Sequence, residues 1–185
     1  TDANYFVRSN SPDGRVPGGP STPTPTYISF DSDGYTIGPN GTINYDTVDF
    51  VGYSFLKSPG FFDVVEYDGN SDGTSGQSQA VPHNLGAVPG AMIIKKTSSS
   101  DDWSVYHKEE GNTKRGRLNT TAAFSASPQE YNNTSPTDSN FTVGWDAGVN
   151  RTGEKYVAYL FADTEGLIKC GKFTTDGSGN ATENV

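Results

Sequence analysis

At 185 residues the chain has the length of a single domain, and its 22 glycines and 11 prolines, spread throughout, exclude long helices. A formal charge of -9 with only 13 Lys and Arg gives no electrostatic footprint for a phosphate backbone, and no apolar run approaches the roughly 18 residues of a membrane span. Nucleic acid and membrane insertion are therefore excluded as partners, while one cysteine, Cys170, excludes an internal disulfide and a cysteine-based zinc site.

A hydrophobic fraction of 32% with 12% aromatics predicts a thin, aromatic-rich core of the kind that sheets build. Residues 1–34, with Pro12, Pro17, Pro20, Pro23 and Pro25 among Gly14, Gly18 and Gly19, read as an extended arm or linker. From residue 35 an internal echo sets the organisation. At an offset of 106 residues, 35–71 fall on 141–177 without a gap, with identities at Thr36/Thr142, Gly38/Gly144, Asn44/Asn150, Val51/Val157, Tyr53/Tyr159, Phe55/Phe161 and Gly60/Gly166. Residues 60–165 are thus expected to be one complete unit. Residues 35–59 read as the C-terminal part of a preceding unit, and 166–185 as the first strand of a following unit or a strand between subunits.

Val51, Tyr53 and Phe55, like Val157, Tyr159 and Phe161, fall at i, i+2 and i+4, which predicts strands whose shared face is core. After Gly60 and Gly166, Phe61–Tyr67 and Leu167–Phe173 are predicted as strands following a turn, and Cys170, aligned with Val64, as a small buried hydrophobe. Asp68, Asn70 and Asp72 form the D-x-N-x-D-G opening of a calcium loop, with Gln79 at the twelfth position; an Asp/Gly-rich strand connection explains the same residues without metal. Pro82-His83-Asn84-Leu85-Gly86 reads as a structural turn in which the imidazole bonds a nearby carbonyl.

Further strands are predicted at Ala91–Lys96, Trp103–His107, Arg117–Asn119 and Phe141–Gly144, joined by polar, Gly- and Pro-bearing connections. Trp103 and Tyr106 lie on opposite faces of their strand, and at least one is expected in the core. Asp101-Asp102 and Glu109-Glu110 read as solvated loop charges. Trp145, beside Asp146 in a turn-like stretch, could stack on a sugar or anchor a subunit contact, or pack locally. N-x-S/T sequons at Asn40, Asn119, Asn132, Asn133, Asn140, Asn150 and Asn180 are acceptors for glycans only in a glycosylating host. Short, closely spaced strands without a helical period predict an all-β fold, an antiparallel sandwich or jelly roll.

Pro59-Gly60-Phe61-Phe62-Asp63-Val64-Val65-Glu66-Tyr67, then Val81 to Gly86 and Val88 to Lys95, resemble a repeat of unknown function in fibre-like and structural proteins of aquatic tailed phages, cyanophages among them. Trp103 to His107, Leu118 to Ala122, Tyr156 to Ala162 and Leu167 to Gly171 continue that resemblance, which covers residues 35–177. It implies a jelly-roll or concanavalin-like β-sandwich on the virion surface, homo-oligomeric, contacting other virion proteins and, in host attachment, a surface glycan.

No G-x-S-x-G, H-E-x-x-H or P-loop occurs, and no strand presents the alternating acids of a glycoside hydrolase. The function expected is non-enzymatic: a structural module of a tail fibre or capsid-surface fibre, acting in assembly and host-surface attachment. The alternatives are a carbohydrate-binding adhesin domain, with calcium as the cofactor Asp68, Asn70 and Asp72 would hold, and a subunit of a bacterial extracellular filament.

Overall fold

The computed structural model describes residues 5–17, 29–30, 32–38 and 44–181. Among the described residues, twelve strands run β1 (Tyr5–Phe6), β2 (Val16–Pro17), β3 (Ser29–Phe30), β4 (Tyr35–Thr36), β5 (Phe62–Asp68), β6 (Gln79–Pro82), β7 (Pro89–Lys96), β8 (Ser104–His107), β9 (Lys114–Arg117), β10 (Ser125–Ala126), β11 (Asn140–Val143) and β12 (Lys155–Ala162). One-turn helices α1 (Pro128–Tyr131) and α2 (Ala147–Asn150) follow β10 and β11. The fold is all-β with antiparallel sheets. Six strands form one sheet in the order β10-β9-β8-β7-β12-β5; β6 and β11 form a second, and β1–β2 and β3–β4 are short separate pairs.

β12 is the strand around which the rest is arranged, paired to β5 on one side and β7 on the other, with Tyr159 opposite both Val64 and Ile93. Its even positions, Tyr156, Ala158, Leu160 and Ala162, are fully buried. They meet Met92 and Ile94 of β7, Tyr106 of β8, and Val81, Phe141 and Val143 of the second sheet in one core with Leu85, Tyr131 and Val149. Burial of a side chain such as Phe141 contributes about 1.5–3 kcal/mol. The face predicted to be core, Val157, Tyr159 and Phe161, is instead the outer face of the sheet. It is covered by Trp103 stacked on Tyr159 (6.3 Å between ring centroids) and by Phe55 against Phe161 (6.1 Å). Identity between the echoed segments thus marks the outer face, and side-chain alternation alone does not say which face meets the second layer.

The first segment departs from an extended arm over its described part. β1 and β2 pair, and the loop between them lies on the outer face: the Trp103 indole donates to the Arg8 and Ser11 carbonyls, at 2.9 and 3.1 Å. Lys95, on the same face and wholly buried, donates to the carbonyls of Pro12 (3.1 Å), Lys96 (2.8 Å) and Asp101 (3.1 Å). Burial, which disfavours a charged amine, lowers its pKa despite the nearby Asp101.

The predicted strands at Phe61–Tyr67, Ala91–Lys96, Trp103–His107, Phe141–Gly144 and Val157–Phe161 form. The strand expected at Arg117–Asn119 is shifted to Lys114–Arg117. Tyr106 enters the core and Trp103 takes the opposite face, both buried. Two predicted strands do not form: residues 48–57 and 169–175 have no regular structure. The one-turn helices, too short to carry a helical period, were not legible.

The free edge of β5 is closed locally. Val64 N–H donates to Asp63 Oδ1 (2.8 Å), and its carbonyl accepts from Lys57 Nζ. Asp63, only 4% exposed, also accepts from Asn84 N–H (2.8 Å); burial works against its carboxylate, yet these donors and Lys57 hold the pKa below the usual range. A charged plug at an edge strand prevents pairing with another chain.

Candidate assembly interface

Two stretches of the chain carry strand sequence without strand structure, and both adjoin the central strand pair. Residues 48–56 precede β5 and expose Val51 (80%), Tyr53 (83%) and Leu56 (81%); residues 167–173 follow β12 and expose Leu167 (60%) and Phe173 (64%). The expectation that Val51, Tyr53 and Phe55 line a core fails for a specific reason. Tyr156, Ala158, Leu160 and Ala162 face the core, and their counterparts at the 106-residue offset are Phe50, Gly52, Ser54 and Leu56. With Gly52 and Ser54 in the middle, the segment has little to bury on the side that matters.

The echo nevertheless recurs as structure at two points. The turn into β5 is made by Ser58 N–H to Phe62 O (2.9 Å) and by Phe61 and Phe62 N–H to Ser58 O (3.1 Å each). The turn after β12 repeats this with Thr164 N–H to Ile168 O (2.9 Å), and Leu167 and Ile168 N–H to Thr164 O (3.1 and 3.0 Å). Gly60 and Gly166 sit at φ 73 and 75, the left-handed conformation such a turn requires of glycine. The second point is a side-chain lock: Asn150 Nδ2 donates to Gly144 O (2.7 Å), and Asn44 Nδ2 donates to Gly38 O (3.3 Å).

Beyond its turn the C-terminal segment is held by a few contacts. Cys170 is buried, as expected of Val64's counterpart, with its N–H on Asp163 Oδ1 (3.1 Å) and its thiol on Ala162 O (3.3 Å). A Cβ on Gly90 would lie 2.8 Å from the Cys170 Cβ, so the absent side chain there makes the seat. Burial, then Asp163, pushes the thiol pKa up, which makes it a poor nucleophile. Lys172 Nζ donates to Glu110 Oε1 (2.5 Å) while Lys114 Nζ donates to Glu110 Oε2 (2.9 Å). Glu110 is therefore no solvated loop charge, and Lys172 first, then Lys114, holds its carboxyl at about 2 rather than 4.5.

That depression has a sign. A carboxyl whose pKa is lower when folded contributes above its unfolded value and loses the contribution as pH falls through the folded one. The Lys172 contact is thus expected to hold down to about pH 4 and to be lost as pH approaches 2. An NMR titration of the Gly171 and Phe173 amides reads this as a single inflection near pH 2; an inflection at 4.5 would show that the contact is absent in solution.

The remaining sequence-predicted site residues are dispersed. Asp68 Oδ1 accepts from Lys155 Nζ (2.8 Å), Asn70 N–H donates to Asn150 Oδ1 (2.9 Å), and Asp72 Oδ1 accepts from Thr74 N–H (2.8 Å). The two carboxylates, Asp68 and Asp72, are turned to separate tasks, and among the described residues no three His, Cys, Asp or Glu come together to hold a metal ion. Trp145 is half-buried, and Asp146 is engaged twice, capping α2 through Gly148 N–H (2.8 Å) and accepting from Arg115 (3.2 Å). His83, buried and stacked on Phe141, accepts the Leu85 N–H at Nδ1 (3.2 Å), which leaves Nε2 to donate to Thr137 O (3.3 Å).

Of the sequon asparagines, Asn150 is wholly buried and its amide nitrogen is used in the lock, which removes it as a glycan acceptor in this fold. Asn119 Nδ2 donates to Asp102 (2.9 Å), and Asn140 lies within β11. Asn132 and Asn133 hold positive φ at the end of α1, Asn180 is exposed, and Asn40 lies outside the described residues.

One concentrated polar cluster has almost no signature in the sequence. Glu130 of α1, wholly buried, accepts from Arg115 (2.8 Å), Arg117 (2.9 Å), Ser127 (3.2 Å) and Ser104. Its one legible signal is Arg115-Gly116-Arg117, two cations on one face of a strand.

A family model described as a domain of unknown function, DUF7483, matches residues 19–183. The chain belongs to the DUF7483 family. Neither the curated proteins nor the solved structures yield a match. The DUF7483 match takes in both strand-like end segments as well as the folded unit between them.

Proposed function

We propose that this DUF7483 chain is a non-enzymatic structural module of a phage virion appendage, a tail fibre or capsid-surface fibre, working in assembly and host-surface attachment at the virion surface. The observation that carries the reading is the pair of exposed ends, which echo β12 and β5 in sequence and reproduce their turns in hydrogen bonding while standing outside the sheet. A folded unit flanked on both sides by strand sequence is suited to joining another copy, because strand addition supplies main-chain hydrogen bonds and side-chain pockets together. The resemblance of residues 35–177 to repeats of aquatic phage fibre proteins points the same way. The two stacked sheets around Phe141 and Leu160 are read as a sandwich of jelly-roll or concanavalin-like type.

The test is location. Gold-labelled antibody against the purified chain, applied to intact virions made from the parent genome, is expected to decorate an appendage or the capsid surface. Virions that stay bare while the antibody recognises the free chain would overturn the proposal.

A further inference from the structure

We infer that residues 49–55 of one copy pair antiparallel with residues 168–174 of a second copy, placing Phe55 opposite Ile168, Tyr53 opposite Cys170 and Val51 opposite Lys172. The inference deepens the assembly reading above and rests on it. The register is taken from the molecule itself: β12 and β5 pair with Phe161 opposite Phe62, Tyr159 opposite Val64 and Val157 opposite Glu66. The 106-residue echo carries each of these residues onto the two end segments.

The two faces of the resulting ribbon fit each other. One carries Phe55–Ile168, Tyr53–Cys170 and Val51–Lys172. The other sets Phe50 against Phe173, bulky against bulky, Gly52 against Gly171, small against small, and polar Ser54 against Lys169. Aromatic and aliphatic pairs directly opposite one another are the stabilising unit of an antiparallel ladder.

The partner is a second copy because the chain's own partners are taken or turned away. Both sides of β12 are occupied, by β5 and β7, and the outer edge of β5 is closed by Asp63 and Lys57. The two end segments leave the same corner, where Thr164 Oγ1 donates to Gly60 O (2.7 Å), and then diverge. Phe55 turns onto Phe61, Phe62 and Phe161, whereas residues 170–173 pass Gly90 to Glu110 and line a groove with His107 and Phe124. A contact between different surfaces of two copies is heterologous, so copies joined this way form open chains or rings rather than closed two-fold dimers.

Cys170, the chain's single cysteine, makes the register directly testable. In Tyr53→Cys the new thiol faces Cys170 across the ladder, within the reach of a disulfide. Oxidation of the purified Tyr53→Cys chain at alkaline pH, which the raised thiol pKa of Cys170 calls for, is expected to give a ladder of dimers, trimers and higher species on a non-reducing gel. That ladder is expected to be lost in Tyr53→Cys with Cys170→Ser, and absent from Ser54→Cys, whose side chain points to the other face. An intrachain disulfide in the monomer, an equal ladder from Ser54→Cys, or no cross-link would each overturn the inference. As a readout that leaves Tyr53 in place, sedimentation of the unmutated chain is expected to show mass rising with concentration. Gly171→Pro, which removes a ladder donor, is expected to hold the mass at that of a monomer. Mass independent of concentration in the unmutated chain overturns the pairing. Loss of the cross-link with virion decoration intact would sink the register and leave the appendage reading standing.

Discussion

Glu130→Ala is expected to cost about 3–5 kcal/mol of folding stability, the range for removing one partner of a buried ion pair. Glu130 has no exposure at all, and its two oxygens take four donors: Arg115 and Ser127 on Oε2, Arg117 and Ser104 on Oε1. Loss of the carboxylate leaves two guanidinium groups of β9 facing the interior with too little negative charge. Arg115 keeps Asp146 at 3.2 Å, and Arg117 keeps Asp102 at 3.7 Å. The balance is already visible in Arg115: burial opposes its charge, yet Glu130 and Asp146 hold its pKa above the ordinary value. The cluster pins α1 to the open flank of the large sheet, where β9 and the two-residue β10 offer few apolar side chains. Urea unfolding followed by tryptophan fluorescence measures the loss. Glu130→Gln, which keeps the shape and two acceptor or donor positions, is expected to fall between the unmutated chain and Glu130→Ala. A loss below about 1 kcal/mol, the scale of an exposed pair, would mean that the cluster is solvated.

What could be read from the sequence depends on whether the deciding contact was local. Ala91–Lys96 and Val157–Phe161 are apolar, β-rich runs, and an antiparallel ladder is the arrangement that satisfies such residues between Gly- and Ser-rich turns. β9 is different. Lys114-Arg115-Gly116-Arg117 has no apolar alternation, and becomes a strand because Gly116 and Arg117 pair with Val105 and Ser104. The metal-like triplet fails for the same kind of reason: Asp68, Asn70 and Asp72 alternate correctly, but Lys155, far along the chain, claims the first, and Asn150 engages the backbone of the second. Asn150 itself shows the limit of a three-residue motif, since a sequon says nothing about depth, and this one lies at the bottom of the core.

The echo between 49–56 and 155–162 is the sharper case, and it leads to the second large effect. Leu160→Ala is expected to cost about 2–5 kcal/mol, because Leu160 is wholly buried between Met92 and the second sheet and its removal leaves a cavity there. Its counterpart, Ser54, is exposed, and Ser54→Ala is expected to stay within about 0.5 kcal/mol. The residues that made the two segments look alike, Val, Tyr and Phe at alternate positions, sit on the outer face, so identity there carries no information about the inner face. Tyr53→Ala should likewise leave monomer stability nearly unchanged, since Tyr53 is 83% exposed, whereas Tyr159 is covered by Trp103. Chemical denaturation of these single variants at low protein concentration separates the contributions. If Ser54→Ala or Tyr53→Ala destabilised the isolated chain as much as Leu160→Ala, residues 49–56 would have to be part of a core within the monomer, and the end segments would no longer be free to join copies.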